Sequence, residues 1–204
     1  MIFIEKLVIL GGTFNPPHIG HLLLAENAAY ELKADKIIFM TSGNPPHKDY
    51  VESADSIMRY EMVKLIIKDN PVFEASDFEV FSDKPCYTAD TLTKLKDLYP
   101  ETEFYFIIGL DSLINFEKWY RPDIIFKKAK IAVAMRGGVL VEKFLELKKY
   151  YEEKYNAEIL KITLPEIGIS SSDIRMRVKN DMPIRYMTTR DVEKYIVNNN
   201  LYKD

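Results

Sequence analysis

The sequence holds three histidines, and all lie in two Asn-Pro-Pro-His stretches: His18 and His21 in GGTFNPPHIGH (residues 11–21), His47 in SGNPPHK (residues 42–48). His18 and His21 stand three apart, a spacing that puts both on one face of a helix beginning there. A helix start collects unpaired N–H groups and the positive end of the dipole, so it favours phosphate. Imidazoles at such a start can donate to a phosphate and stabilise negative charge as it grows. Gly11 and Gly12 allow unusual backbone angles and close approach of a ligand. Gly20 leaves room for a flat group, and Pro16 and Pro17 stiffen the loop. Taken alone, two histidines at a helix start also suit capping or solvent exposure. A zinc site lacks a third histidine or an acidic cluster, and without G-x-x-x-x-G-K-[ST] this is not a P-loop.

A second stretch, GISSSDIR (residues 168–175), predicts a helix capped by Ser170 or Ser171, with Asp173 in its first turn and Arg175 and Arg177 beyond. By itself it reads as a simple cap with solvated arginines. Beside the first motif it becomes a second phosphate-type helix start, and two of these suit a triphosphate. The other Asn-Pro-Pro-His stretch, SGNPPHK, adds Asn44, His47 and Lys48, which could hold another anion; Lys48 also reads as a solvated side chain.

These residues need a frame. Apolar runs at residues 7–10, 36–40, 72–75, 103–108, 131–135 and 158–162 alternate with helical patterns at 19–32, 54–68, 89–98, 140–155, 172–179 and 190–198. That alternation predicts βαβ units and a Rossmann-like, doubly wound parallel α/β sheet with helices on both faces. In such sheets the loops after the strands emerge at one carboxyl edge, where ligands bind at the switch in strand order. We expect a single domain over 1–204, with a small C-terminal helical part from about 171.

Composition sets the outer limits. With 204 residues, 47% hydrophobic and 29% charged, the chain can bury one substantial core. Its net charge of −3 argues against a nucleic-acid partner. The apolar runs are too short to cross a bilayer, and the N-terminus does not read as a signal peptide. One cysteine, Cys86, excludes an internal disulfide and points to a reduced, cytoplasmic setting. A homo-oligomer is compatible with all of this.

GGTFNPPHIGH together with ISSSDIR resembles the nucleotidyltransferase superfamily marked by (H/T)-x-G-H and a late ISSTxIR motif. SGNPPHK, CYTADTL (86–92), FIIGLDSL (106–113) and Lys118-Trp119-Tyr120 narrow the resemblance to the bacterial nicotinate-nucleotide adenylyltransferase family over nearly the whole chain. Two positions depart mildly: Asn15 stands where that family often has Asp, and Ser172 where threonine is common. The resemblance implies transfer of the adenylyl group of ATP to nicotinate mononucleotide, with release of pyrophosphate. It implies an ATP site of Gly11, Gly12, Thr13, Phe14, His18, Gly20 and His21, with Gly109, Asp111, Ile169, Ser171, Ser172 and Arg175. His18 and His21 would be the catalytic pair; Ser171, Ser172 and Arg175 would hold the departing β/γ end. Asp111 would contact adenosine, or cap a helix. Mg2+ would bridge phosphates, bound mainly through substrate oxygens and water.

The acceptor carries a cationic ring and an anionic carboxylate. Trp119 could stack on the cation, although a lone Trp is by default a core residue; Tyr120 joins it. Thr88 and Ala89 open a helix whose N–H groups would favour a carboxylate over a neutral amide. Asn44, His47 and Lys48 would take the mononucleotide phosphate, and Arg136 another. Cys86 and Tyr87 read as packing residues. Three other activities stay open: an adenylyltransferase for nicotinamide mononucleotide, one for phosphopantetheine, and a non-catalytic ATP sensor.

Overall fold

The computed structural model describes residues 5–43, 54–136 and 140–203. Asn44, His47 and Lys48 lie outside them. The described chain forms six strands and eight α-helices. β1 (Lys6–Gly12), β2 (Lys36–Thr41), β3 (Phe73–Ser76), β4 (Glu103–Gly109), β5 (Lys130–Arg136) and β6 (Ile159–Leu164) make one sheet in the order β3-β2-β1-β4-β5-β6. Order thus runs outward in both directions from the β1/β4 pair, as the doubly wound reading requires. The β1/β4, β4/β5 and β5/β6 pairs are parallel, with Leu10 opposite Ile107, Ile108 opposite Val133 and Met135 opposite Thr163. Val8, Ile131, Ala132 and Val133 are fully buried, the mark of strands covered on both faces. β6, at the edge, buries only Ile159, Ile162 and Leu164.

The chain divides into two compact units. The first, Met1–Gly11, Glu26–Ile37 and Tyr87–Glu166, contains β4, β5 and β6, with α3 (Thr88–Leu98), α4 (Leu110–Ile114), α5 (Pro122–Lys128) and α6 (Val141–Tyr155). Its aromatic centre is Phe116, Phe126 and Tyr151, whose rings lie 4.7–6.2 Å apart between centroids. α6 buries Phe144 and Tyr151 and turns its Lys/Glu face to water, as its pattern predicts.

The second unit, Gly12–Ala25, Ile38–Cys86 and Ile167–Asp204, carries the opening turns of α1 (Ile19–Leu32), then α2 (Ser56–Ile67), β3, α7 (Ser171–Lys179) and α8 (Arg190–Asn198). Asp55 caps α2 by accepting from the Met58 N–H at 2.7 Å. Ser170 caps α7 the same way, its Oγ accepting from the Asp173 N–H at 3.1 Å, which decides between the two predicted serines. α5 has no counterpart in the sequence pattern, and α4 only the cap considered at Asp111; at five and seven residues they are too short for helical periodicity to show.

Candidate functional site

The second unit gathers both motif stretches by hydrogen bonds to three consecutive carbonyls of one loop. Arg175 Nη1 donates to the Asn15 carbonyl at 2.8 Å, Ser171 Oγ to Pro16 at 2.9 Å and Thr188 Oγ1 to Pro17 at 2.9 Å. The Ile19 N–H, first of α1, donates to the Met187 carbonyl at 2.9 Å. Pro16 and Pro17 offer no N–H, but their carbonyls are full acceptors. The loop that presents the histidines is therefore held from the α7–α8 side, over a sequence separation of 155 to 171 residues.

His18 and His21 stack face to face, centroids 3.7 Å apart and planes 25° from parallel. The His18 backbone N–H donates to His21 Nδ1 at 3.1 Å. An accepting Nδ1 places the proton of the neutral ring on Nε2, so His21 presents Nε2–H as its donor. Phe14 packs edge-on against His21 at 5.0 Å. The flat group that Gly20 accommodates is the His18 ring: a Cβ on Gly20 would meet His18 Cε1 and Nδ1 at 3.0 Å. Unusual backbone angles appear at Phe14 (φ 50°) rather than at Gly11 or Gly12. Phe14 is buried to 2%, and its ring lies over Gly12, where a Cβ would sit 3.0 Å from it. Burial of this ring holds a backbone conformation that is otherwise disfavoured. The Asn15-Pro16 bond is cis.

The surroundings of Asn15 call for an uncharged acceptor. Its Oδ1 accepts from the Ala54 N–H at 3.2 Å and from the Tyr202 hydroxyl at 2.7 Å, so the position uses an acceptor and no charge. Burial raises the Tyr202 pKa, and its phenol remains a donor. Arg175 also reaches Ser172 Oγ at 3.4 Å, while its buried Nε makes no hydrogen bond among the described residues. Ser171 spends its O–H on Pro16, which leaves its backbone N–H at the start of α7 as the group to offer an anion. Ile169 lies just before the capping serine.

The first unit holds the other predicted residues. Gly109 is the cap of α4, so Asp111 lies inside the first turn and exposed, not at the cap. Trp119 stacks on Phe116 (4.8 Å, 23°) and stands edge-on to Phe106 (6.2 Å, 77°). One face of the indole is thus engaged and the residue is half-buried. Tyr120 is exposed and pairs with Tyr87 at 4.6 Å. Tyr87, read as a packing residue, is itself 37% exposed. It is the cap residue of α3, and no side chain caps that helix, which opens with Thr88 and Ala89. Arg136 ends β5.

Residues 9–177 match the sequence model of the cytidylyltransferase-like family. The chain belongs to that family. The "probable nicotinate-nucleotide adenylyltransferase" of Carboxydothermus hydrogenoformans is 42% identical over 97% of this chain and 98% of its own length. The protein of the same name from Lachnoclostridium phytofermentans is also 42% identical, over 97% and 99%. Among solved structures, Plasmodium falciparum nicotinic acid mononucleotide adenylyltransferase complexed with NaAD superposes with a TM-score of 0.79, at 21% identity and 97% coverage of each chain. That likeness supports the Rossmann-like α/β fold.

Three residues that hold the histidine loop belong to none of the sequence motifs. Thr188 and Tyr202 carry no local pattern, since their partners are 171 and 187 residues away. Arg59 did leave a signal. It sits in SIMRYEMVKLII on the same helical stripe as the buried Met62, Val63 and Ile66, where an apolar residue is expected. Among the described residues no group of three His, Cys, Asp or Glu could hold a metal, and no helix is long and apolar enough to cross a membrane.

Proposed function

We propose that this chain is an adenylyltransferase that joins ATP to nicotinate mononucleotide, giving nicotinate adenine dinucleotide and pyrophosphate in NAD biosynthesis. The observation that carries this reading is the bonding of ISSSDIR to the histidine loop, Ser171 to Pro16 and Arg175 to Asn15. It makes the two phosphate-type helix starts of α1 and α7 one constellation. Relatives 42% identical over nearly the full chain bear the name of this activity.

The reaction brings the mononucleotide phosphate onto the α-phosphorus of ATP, so two anions must approach in line. Positioning and charge neutralisation do the work, and no protein nucleophile is needed. His21, with its proton on Nε2, donates toward the α-phosphate as negative charge builds on its oxygens. His18 lies flat on His21 and limits its orientation. The α7 start and Arg175 hold the leaving pyrophosphate. Gly109 and Asp111 serve the adenosine. The uncapped start of α3 receives the nicotinate carboxylate, and the half-buried Trp119 faces the pyridinium with its remaining ring face. Magnesium would neutralise charge on the phosphates, held by substrate oxygens and water. The lone Cys86 suits a reduced, cytoplasmic setting.

The test is direct. The purified protein is given ATP, magnesium and either mononucleotide, and pyrophosphate and product mass are followed. Rapid pyrophosphate release with the nicotinate form and much slower release with nicotinamide is expected. Equal turnover of both would sink the carboxylate argument at α3, and no pyrophosphate with either would leave an ATP sensor.

A further inference from the structure

Arg59 is fully buried on α2, and its guanidinium reaches four backbone carbonyls. Nη1 donates to Thr13 at 2.8 Å and to Ser42 at 2.8 Å, Nη2 to Gly43 at 3.1 Å, and Nε to Ala54 at 3.0 Å. These carbonyls belong to three separate pieces of chain. Thr13 lies inside the histidine loop, Ser42 and Gly43 follow β2, and Ala54 precedes α2. A guanidinium stays protonated in a protein and offers five donors in a fixed plane. Buried here, it must find acceptors, and it finds them by holding those three pieces at one spacing.

Other contacts tighten the same junction. The Ser42 N–H and hydroxyl both donate to the Gly12 carbonyl, at 3.0 and 3.2 Å. Ala54 is gripped at both ends of its backbone, its N–H by Asn15 and its carbonyl by Arg59. Gly43 presses so closely on the Glu79 carbonyl that a Cβ would fall 2.0 Å from it. The exit of β2 therefore has little freedom to move away from the guanidinium.

We propose that Arg59 is a positioning residue for adenylyl transfer: it sets the distance between the histidine loop and the chain leaving β2, and so aligns His18 and His21 for the reaction. The proposal rests on the adenylyltransferase reading above. Lysine keeps the charge but replaces the planar fork by a point, and cannot reproduce four directed bonds in one plane. Glutamine keeps a flat donor but has two N–H groups and no charge.

Arg59→Lys and Arg59→Gln are compared with the wild type for folded fraction, by circular dichroism and urea unfolding, and for kcat and both KM values. The expected result is a folded Arg59→Lys enzyme whose kcat per folded molecule drops about 100-fold, with a smaller change in the KM for ATP. Arg59→Gln should fall further. A kcat per folded molecule within about threefold of wild type would overturn the proposal. So would failure of both variants to fold, which would make Arg59 a residue of the fold alone. A wild-type protein that releases no pyrophosphate would instead defeat the underlying functional reading, whatever Arg59 does.

Discussion

At the residue scale, the proposed chemistry depends on which nitrogen of His21 carries a proton, and a neighbouring backbone group decides it. The His18 N–H occupies Nδ1, leaving Nε2–H to donate. Replacing His21 with alanine should lower kcat by about 100- to 1,000-fold, the usual loss for one preorganised donor to developing charge. The circular dichroism spectrum should stay unchanged, because the side chain is only partly buried. Gly20→Ala separates packing from chemistry. Alanine favours a helix over glycine by about 1 kcal/mol, so thermal stability should hold. Its Cβ would meet the His18 ring at 3.0 Å, and that ring, 6% exposed, has little room to retreat. We expect kcat to fall at least about tenfold in a protein as stable as the wild type. A stable, fully active Gly20→Ala enzyme would show that the stacked pair tolerates displacement.

At the element scale, the one-turn helix Phe116–Lys118 presents Trp119, and α6 holds that turn through Glu117. Glu117 Oε1 accepts from Lys154, from the Tyr150 hydroxyl at 2.8 Å and from the Tyr155 hydroxyl at 3.3 Å. The Lys154 hydrogen bond, with help from Tyr150, lowers the Glu117 pKa from its ordinary 4.5. A depressed folded value means that this tie adds stability above pH 4.5 and loses it as pH falls through the folded pKa. Glu117→Gln should therefore lower the urea midpoint slightly at pH 7, and the gap should narrow below pH 4.5. Trp119, the sole tryptophan, gives the fluorescence signal for that measurement. A gap independent of pH would mean the carboxylate charge plays no part.

At the scale of the second unit, Tyr202 reaches back 187 residues to Asn15. Burial keeps its phenol protonated well above neutral pH, so the bond persists across the working range. Tyr202→Phe removes one hydrogen bond, a loss of about 1 kcal/mol, which calorimetry would read as a fall in Tm of about 2–4 °C for a chain this long. Asn15→Leu should be worse, because it removes the one oxygen that accepts from both the Ala54 N–H and the Tyr202 hydroxyl. Asn15→Asp keeps the acceptor and should fold. If Tyr202→Phe matched the wild type in Tm, solvent would already be satisfying that phenol.

Much of this protein is legible in its sequence alone. Six strands, the long helices and the edge where the motifs emerge follow from hydrophobic period and from the residues that break it, which are local properties of the chain. The chemistry-bearing types at the start of α1 and α7 are legible for the same reason. Other features depend on partners farther apart in sequence: three of the four carbonyls around Arg59, the three loop carbonyls taken by Arg175, Ser171 and Thr188, and the acceptor role of Asn15. So does the choice of Phe14, rather than a glycine, for the left-handed angle, since only burial of its ring makes that angle tolerable. Residue type and spacing determine which groups can bind phosphate. Which of their donors remain for a substrate is decided by tertiary hydrogen bonds, because a donor already used on a backbone carbonyl is no longer on offer.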